Sequence, residues 1–196
     1  PASSIRSIAL AKSMRINYLK VIKRPKVLVI CTGDELINEK RKQNLVVSTN
    51  NIFIKHFVEL FGGEIVKIHH SKDNKVEFKK IFKSSKNFDL LITSGGISRG
   101  KYDIVKESLK EFGLKILFDR VAIKPGKPTT FGKFGKSKFF LGLPGNPVSC
   151  FMSLINFLPM YINSYYGKKI VNLKSIEFAS KSFIEKNGNL NHHYHP

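Results

Sequence analysis

Three short apolar runs set what this chain can fold into. Val27-Leu28-Val29-Ile30, Ile65-Val66-Lys67-Ile68 and Leu90-Leu91-Ile92-Thr93 are of strand length, rich in β-branched residues and leucine, and bounded by glycine or polar turns. Between and after them the apolar spacing becomes helical. Phe53, Phe57, Leu60 and Phe61 share one face of a segment from about Asn50 to Phe61, with Ser48 and Thr49 as cap candidates and Gly62-Gly63 as its stop. Phe78, Ile81 and Phe82 mark a second helix that Asp73 can cap. Val105, Leu109 and Phe112 mark a third, opened by Asp103 and stopped by Gly113. Near-continuous apolar strands alternating with helices imply a parallel sheet covered on both faces. The expected class is α/β, a three-layer α/β/α arrangement around a mostly parallel sheet.

From Leu114 the pattern changes to extended pieces broken by Gly and Pro, with a hairpin expected at Gly135-Lys136-Ser137. A long apolar helix then runs from Pro147 to about Tyr166, with a kink expected at Pro159. These features divide the chain into a remnant or linker over 1–22, an α/β domain over 23–167, and the incomplete start of another domain over 168–196. The terminal His192, His193 and His195 read as a disordered end or an expression remnant ahead of a metal site.

The totals exclude several classes. No stretch approaches the ~20 apolar residues of a membrane helix, so no membrane partner is expected. Cys31 and Cys150 lie in apolar runs and in no metal-type spacing, which points to buried free thiols and a reducing, cytoplasmic setting. The net charge of +20 admits an anionic partner. Its lysines are spread along the chain, without the basic stripe interleaved with aromatics that a nucleic-acid surface needs, so biased residue usage is the simpler account and no nucleic acid is expected.

In an open parallel sheet, ligands bind beyond the carboxyl ends of the strands, and four glycine-bearing segments fall at such ends. Thr32-Gly33-Asp34-Glu35-Leu36 follows the first strand. The run from Ser94, through Gly95, Gly96, Ser98, Arg99 and Gly100, to Asp103 follows the third. Lys124-Pro125-Gly126-Lys127-Pro128 and Leu143-Pro144-Gly145-Asn146-Pro147-Val148-Ser149 come before the long helix. Gly95-Gly96 suits backbone N–H groups approaching a phosphate, and suits a tight turn equally well. Asn146 before Pro147 makes a strong helix start whose free N–H groups favour an anion by roughly 0.3–1 kcal/mol per charge, or simply a well-capped helix. Lys124 and Lys127 flank a stiff Pro-Gly turn: two fixed cations for an oxyanion, or two solvated lysines. Glu35, Asp73 and Asp103 lie at the same edge, where carboxylates repel an anionic ligand by about 1–4 kcal/mol at contact. A divalent ion between them reverses that sign, and Mg²⁺ held by one or two carboxylates plus phosphate is its usual arrangement.

Taken in order, these four segments resemble the MoeA proteins and the matching domain of gephyrin; the resemblance spans residues 24–149. Molybdopterin adenylyltransferases and CinA-like proteins share the sheet and the first two segments. The resemblance implies a MogA-like molybdopterin-binding domain followed by the start of a C-terminal β-barrel. It also implies a molybdopterin molybdotransferase, a transferase of molybdenum cofactor biosynthesis that inserts molybdate into adenylylated molybdopterin and releases AMP with Mg²⁺. By position, Glu35, Asp73 and Asp103 match the family's active-site acids, with Asp73 and Asp103 assigned to the metal. Lys124, Lys127 and Ser149 match molybdate positions. Thr32, Gly33, Asp34, Ser94, Gly95, Gly96, Ser98, Gly100, Pro125, Gly126, Pro128, Pro144, Gly145, Asn146 and Pro147 match the substrate cradle. Implied partners are adenylylated molybdopterin, molybdate, a second copy in a full-length homodimer, and a molybdopterin adenylyltransferase. Two departures are Ser48, where the family usually has an acid, and Arg99, in place of a small apolar residue. Adenylyl transfer to molybdopterin and a non-catalytic binding or scaffold module are the competing readings.

Overall fold

The alternation of side chains along the apolar runs decides the layering. The computed structural model describes residues 5–33, 49–96, 103–168 and the backbone of 191–192. Strand β1 (Lys26–Thr32) sends Val27, Val29 and Cys31 to one face of the sheet and Leu28 and Ile30 to the other, as the pleat requires. β3 (Leu90–Ser94) divides in the same way, Leu90 and Ile92 against Leu91. The first face is covered by α2 (Asn50–Leu60) and α5 (Pro147–Tyr165), which bury Ile54, Val58, Leu154 and Leu158 there. The second is covered by α3 (Lys75–Ser84) and α4 (Ile104–Lys110) through Phe78, Val105 and Leu109. Each such side chain stabilises the fold by about 1.5–3 kcal/mol on burial, so both layers are held by core and not by surface charge.

The six-stranded sheet has the order β2-β1-β3-β7-β6-β4. β2 (Glu64–Ser71), β1, β3 and β7 (Lys138–Leu143) are parallel, while β6 (Thr130–Phe134) runs antiparallel to β7 and to β4 (Leu114–Asp119). The mostly parallel three-layer α/β expectation therefore holds, and the extended pieces after Leu114 form its antiparallel end. Register fixes what shares an edge: Ser71 pairs with Thr32, Cys31 with Ser94, Ser94 with Leu143, Gly142 with Thr130, and Thr130 with Asp119. The carboxyl ends of the parallel strands thus lie beside the start of β6 and the end of β4. The hairpin turn at 135–137 falls where the sequence placed it.

Helix ends show where local chemistry differs from the sequence reading. Asn74, not Asp73, caps α3: its side-chain oxygen accepts from the Val76 and Glu77 N–H groups at 2.8 and 3.3 Å. Asp73 stands one residue too early for those donors. Thr49 sits at the cap of α2 but makes no side-chain capping bond. α5 runs through Pro159 as one helix, and Asn146 caps it as expected, accepting from Ser149 N–H at 3.2 Å.

Outside the layers, α1 (Ile5–Ser13) leaves Ile5, Ile8 and Leu10 exposed. A two-residue strand, β8 (Asn191–His192), pairs parallel with β5 (Ile123–Lys124). Of residues 168–196, where the start of a barrel was expected, all but Lys168 and 191–192 lie outside the described residues. Among those described, no helix is long and apolar enough to cross a membrane.

Candidate active site

A buried amide ties the strand-end loops together. Asn50, 6% exposed at the start of α2, donates from Nδ2 to Ser94 Oγ at 2.7 Å and to the Gly145 carbonyl at 2.8 Å. One side chain thereby joins the ends of β3 and β7. The Gly95 N–H donates to the Leu143 carbonyl at 3.2 Å, and the Gly33 N–H to the Ser71 carbonyl at 3.2 Å. Thr32 and Gly95 press together: a Cβ on Gly95, whose φ is +88°, would overlap the Thr32 carbonyl. A Cβ on Gly145 would lie 3.5 Å from Gly95 Cα. Among the described residues, the buried Thr32 Oγ1 has no hydrogen-bond partner. Sequence reasoning used Asn50 only to place a helix; the available signal was an amide opening an apolar-faced helix beside glycine-bearing strand ends.

The lysine-bearing turn is fastened to the same edge by hydroxyls. The fully buried Thr129 hydroxyl lies 2.6 Å from both the Gly126 carbonyl and Ser153 Oγ, and its single proton is shared between them. Ser153 in turn donates to the Ser149 carbonyl at 2.8 Å. The turn from Lys124 to Pro128, which includes the cis Lys124-Pro125 bond, is thus pinned to the first turns of α5 next to Ser149. Lys124 and Lys127 are exposed there, as are Gly145, Asn146 and Pro147, while Pro144 is buried. Neither Thr129 nor Ser153 was singled out in the sequence, since isolated hydroxyl residues in apolar helices and turns carry no spacing signal.

On the acid side, Asp73 follows β2 and is exposed. Asp103 caps α4, its Oδ1 accepting from Lys106 N–H at 3.1 Å and its Oδ2 lying 2.6 Å from Lys106 Nζ. Lys106 Nζ also reaches both Asp119 oxygens at 3.0 Å, and the Thr130 hydroxyl donates to Asp119 Oδ1 at 2.6 Å. Burial on its own would raise the Asp119 carboxyl, but the Thr130 hydroxyl and the Lys106 ammonium outweigh it and hold Asp119 below the usual carboxylate range. Burial opposes the charge on Lys106 too, and the two carboxylates overcome it, raising that ammonium above its ordinary value. Lys106 and Asp119 were not anticipated as site residues, because their meeting depends on the antiparallel end of the sheet. Asp34, Glu35, Ser98 and Gly100 lie outside the described residues.

Register and these bonds bring one edge of the sheet to the loops that the sequence singled out, and comparison with known proteins agrees on what such an edge belongs to. The sequence profile described as "Probable molybdopterin binding domain" matches residues 28–163. The chain belongs to the molybdopterin-binding domain family. Within it, the chain is 36% identical over 166 residues to a molybdopterin molybdenumtransferase of Haemophilus influenzae, covering 83% of this chain and 41% of that protein. It is 33% identical over 165 residues to one from a Nostoc species, covering 82% and 38%. A structure of the molybdopterin biosynthesis MoeA protein from Pyrococcus horikoshii superposes with a TM-score of 0.71 at 27% identity, covering 84% of this chain and 41% of that one. The chain thus spans about two-fifths of the length of these relatives.

Other features of this molybdopterin-binding domain lie away from the edge. A cavity of about 420 Å³ beside the C-terminal half of α5 is lined by Phe118, Phe131, Phe139, Phe157 and Tyr161 among others, with no charged side chain. It offers no charge to an anionic ligand, so the candidate site stays at the strand ends. Cys31 and Cys150 are fully buried free thiols, as the sequence implied. Burial pushes both up to about 12, so they stay protonated near neutral pH and supply no nucleophile.

Proposed function

We infer that this domain is the catalytic part of a molybdopterin molybdotransferase, a transferase that inserts molybdate into adenylylated molybdopterin and releases AMP. One observation carries the reading: an acid-bearing side, with Asp73 and Asp103, and a lysine-bearing side, with Lys124, Lys127 and Ser149, share the carboxyl edge of a single sheet. Asn50 and Gly95 hold the loops between them in register. An adenylate phosphate and an oxyanion are different demands, and the edge presents different chemistry at each side.

The residues have separable roles in this reading. Gly96, Gly145, Asn146 and Pro147 line the path of the nucleotide and pterin phosphates, beside the capped start of α5. Lys124 and Lys127, fixed by the Thr129–Ser153 clamp, attract molybdate and neutralise its charge. Asp73 and Asp103 offer hard oxygen donors suited to Mg²⁺. Among the described residues there is no cluster of three or more His, Cys, Asp or Glu; Mg²⁺ asks for less, since it commonly takes one or two carboxylates and completes its shell with phosphate and water. When bound, it would offset charge on the adenylate phosphate and assist its hydrolysis as a Lewis acid. Glu35 positions metal or substrate. A cytoplasmic homodimer, with a molybdopterin adenylyltransferase delivering the substrate, completes the proposal.

The test is AMP release from adenylylated molybdopterin by the purified chain with Mg²⁺, with and without molybdate. Molybdate-dependent release is expected. Binding of the adenylate without release would mark a binding module, and release of pyrophosphate from MgATP with molybdopterin would mark the adenylyltransferase. Asp103→Asn keeps the cap on α4, since Asn is as good a cap as Asp, yet removes the charge. It is expected to abolish AMP release while the fold survives, and unchanged turnover would remove Asp103 from the site.

A further inference from the structure

Lys106 is held by two carboxylates at once, and only one of them belongs to the acid pair assigned above. Its ammonium lies 2.6 Å from Asp103 Oδ2 and 3.0 Å from each oxygen of Asp119. Its side chain is only 13% exposed, so it cannot drift freely into solvent. Asp103 Oδ1 is already used by the Lys106 N–H. Oδ2 is therefore the oxygen with most freedom to meet a ligand, and the ammonium sits on it. Asp119 is anchored independently: it ends β4, and the fully buried Thr130 at the start of β6 donates to it at 2.6 Å. The two-oxygen contact with Asp119 exists before Asp103 is given up.

We propose that Lys106 is a positioning residue that serves as an exchangeable counter-ion for Asp103. In the absence of a divalent cation its ammonium occupies Oδ2 and keeps that carboxylate aimed at the sheet edge. When the cation arrives, the ammonium moves wholly onto Asp119 and Oδ2 is released. An ammonium and a divalent cation on one carboxylate oxygen repel each other strongly at contact distance, so the arrangement with the ammonium on Asp119 is favoured once the cation binds. Moving Lys106 onto Asp119 breaks one contact and needs no new partner, since Thr130 holds Asp119 in place throughout. The inference rests on the reading of Asp103 as a Mg²⁺ ligand. A plain fastening of α4 to β4 would use the same bonds, but it predicts lost stability without a signed effect on cation binding.

The experiment titrates the full chain with Mn²⁺ alone, as a spectroscopic substitute for Mg²⁺, and follows the free ion by electron paramagnetic resonance. Circular dichroism checks that each variant is folded. Lys106→Met removes the competing cation and is expected to tighten Mn²⁺ binding about three- to tenfold, the scale of one charge at contact when water screens it fully. Asp119→Asn removes the alternative seat and is expected to weaken binding by a similar factor. In the Lys106→Met background, Asp119→Asn should have little further effect, because there is no ammonium left to receive. Lys106→Arg should return affinity towards wild type. If Lys106→Met does not fold, Lys106→Gln serves the same purpose. Single variants that shift affinity in the same direction, or effects that simply add in the double variant, would overturn the exchange. Binding that requires Asp103 but ignores Lys106 would overturn it alone. No binding dependent on Asp103, judged by Asp103→Asn, would overturn both the exchange and the metal reading of that carboxylate.

Discussion

Two glycines with nearly the same backbone conformation meet very different surroundings, which isolates what the crowding at the strand ends is worth. Gly95 has φ +88° and Gly113 has φ +84°. Placing an L side chain in that region costs about 1–2 kcal/mol, partly offset by about 0.4–1 kcal/mol from the stiffer unfolded chain. At Gly113 nothing lies within 4 Å of an added Cβ, so Gly113→Ala should cost no more than this difference, about 0–2 kcal/mol. At Gly95 the Cβ would overlap the Thr32 carbonyl and come within 2.9 Å of its hydroxyl. Neither can yield cheaply, because Thr32 is the last residue of a central strand paired on both sides. Overpacking of this kind adds about 1–3 kcal/mol, so Gly95→Ala should be less stable than Gly113→Ala by that amount. Urea unfolding followed by far-ultraviolet circular dichroism measures it, as a shift of midpoint at unchanged slope. AMP titrations of both variants should show weakened binding only for Gly95→Ala. Equal destabilisation within about 0.5 kcal/mol would mean that Thr32 does not confine Gly95, and the contact between the ends of β1 and β3 would have to be abandoned.

Further outcomes follow from the clamp, the ion pairs and the thiols. Thr129→Val, which keeps the shape but removes the shared hydroxyl, should cost about 1–3 kcal/mol and weaken molybdate binding, read by equilibrium dialysis; unchanged molybdate affinity would detach the lysine turn from that role. Asp119 is held below its ordinary value, so its contribution is complete above its unfolded value and fades as pH falls through the folded one. Lys106 is raised, and its contribution persists until pH climbs through its folded value. Asp119→Asn should therefore destabilise at pH 7, by at most about 1 kcal/mol because the Asp119 side chain is 39% exposed, and the difference should shrink steadily as pH falls below the ordinary carboxylate range in urea titrations; a difference independent of pH would refute the electrostatic account. Cys31 and Cys150, both pushed up to about 12 by burial, should resist a disulfide thiol reagent at pH 8 and react fully in urea. Rapid labelling of the native chain would contradict their placement.

The inner parallel strands β1 and β3 were legible because they are buried on both faces and write themselves as unbroken apolar runs, while the edge strand β2, largely exposed and interrupted by Lys67, was read from its β-branched residues. Val27–Ile30, Ile65–Ile68 and Leu90–Thr93 all fall within strands, and α2 and α4 stop at the expected Gly62 and Gly113. The antiparallel end was harder to read. β4 carries Lys115 and Asp119 on an outer strand, and an edge strand has no need for a continuous apolar pattern. Helix caps fail for a related reason. Asp73 and Asn74 are both good capping types, and only backbone geometry decides which carboxyl or amide oxygen faces the Val76 and Glu77 donors. The strand-end loops were visible as glycine-bearing segments, but the bonds that hold them were not. Asn50, Thr129 with Ser153, and Lys106 with Asp119 act on partners distant in sequence, and no local spacing records such a partnership.

In the proposed reading, the order of the strands lets the two sides of the edge act on one ligand without cancelling each other. Asp73 follows β2 at one end of the sheet, whereas the lysine turn precedes β6, four strands away. At ~4.8 Å per strand that separation is about 19 Å, roughly twice the Debye length at physiological salt. Exposed carboxylates and ammonium groups so far apart barely neutralise one another, and each keeps its own field at its own end. Asp103 carries a cation of its own in Lys106, which also reaches Asp119 at the end of β4, on the strand beyond β6. An acid closer to the lysine side is more exposed to the conflict between holding a metal and tolerating a nearby anion. A mobile counter-ion with a second seat on Asp119 answers that conflict, because the charge at Asp103 is compensated both before and after a divalent ion arrives. The hydrogen-bonded core of the edge, Asn50 with Ser94 and Gly145, is neutral throughout, so geometry between the two ends does not depend on which charges are occupied.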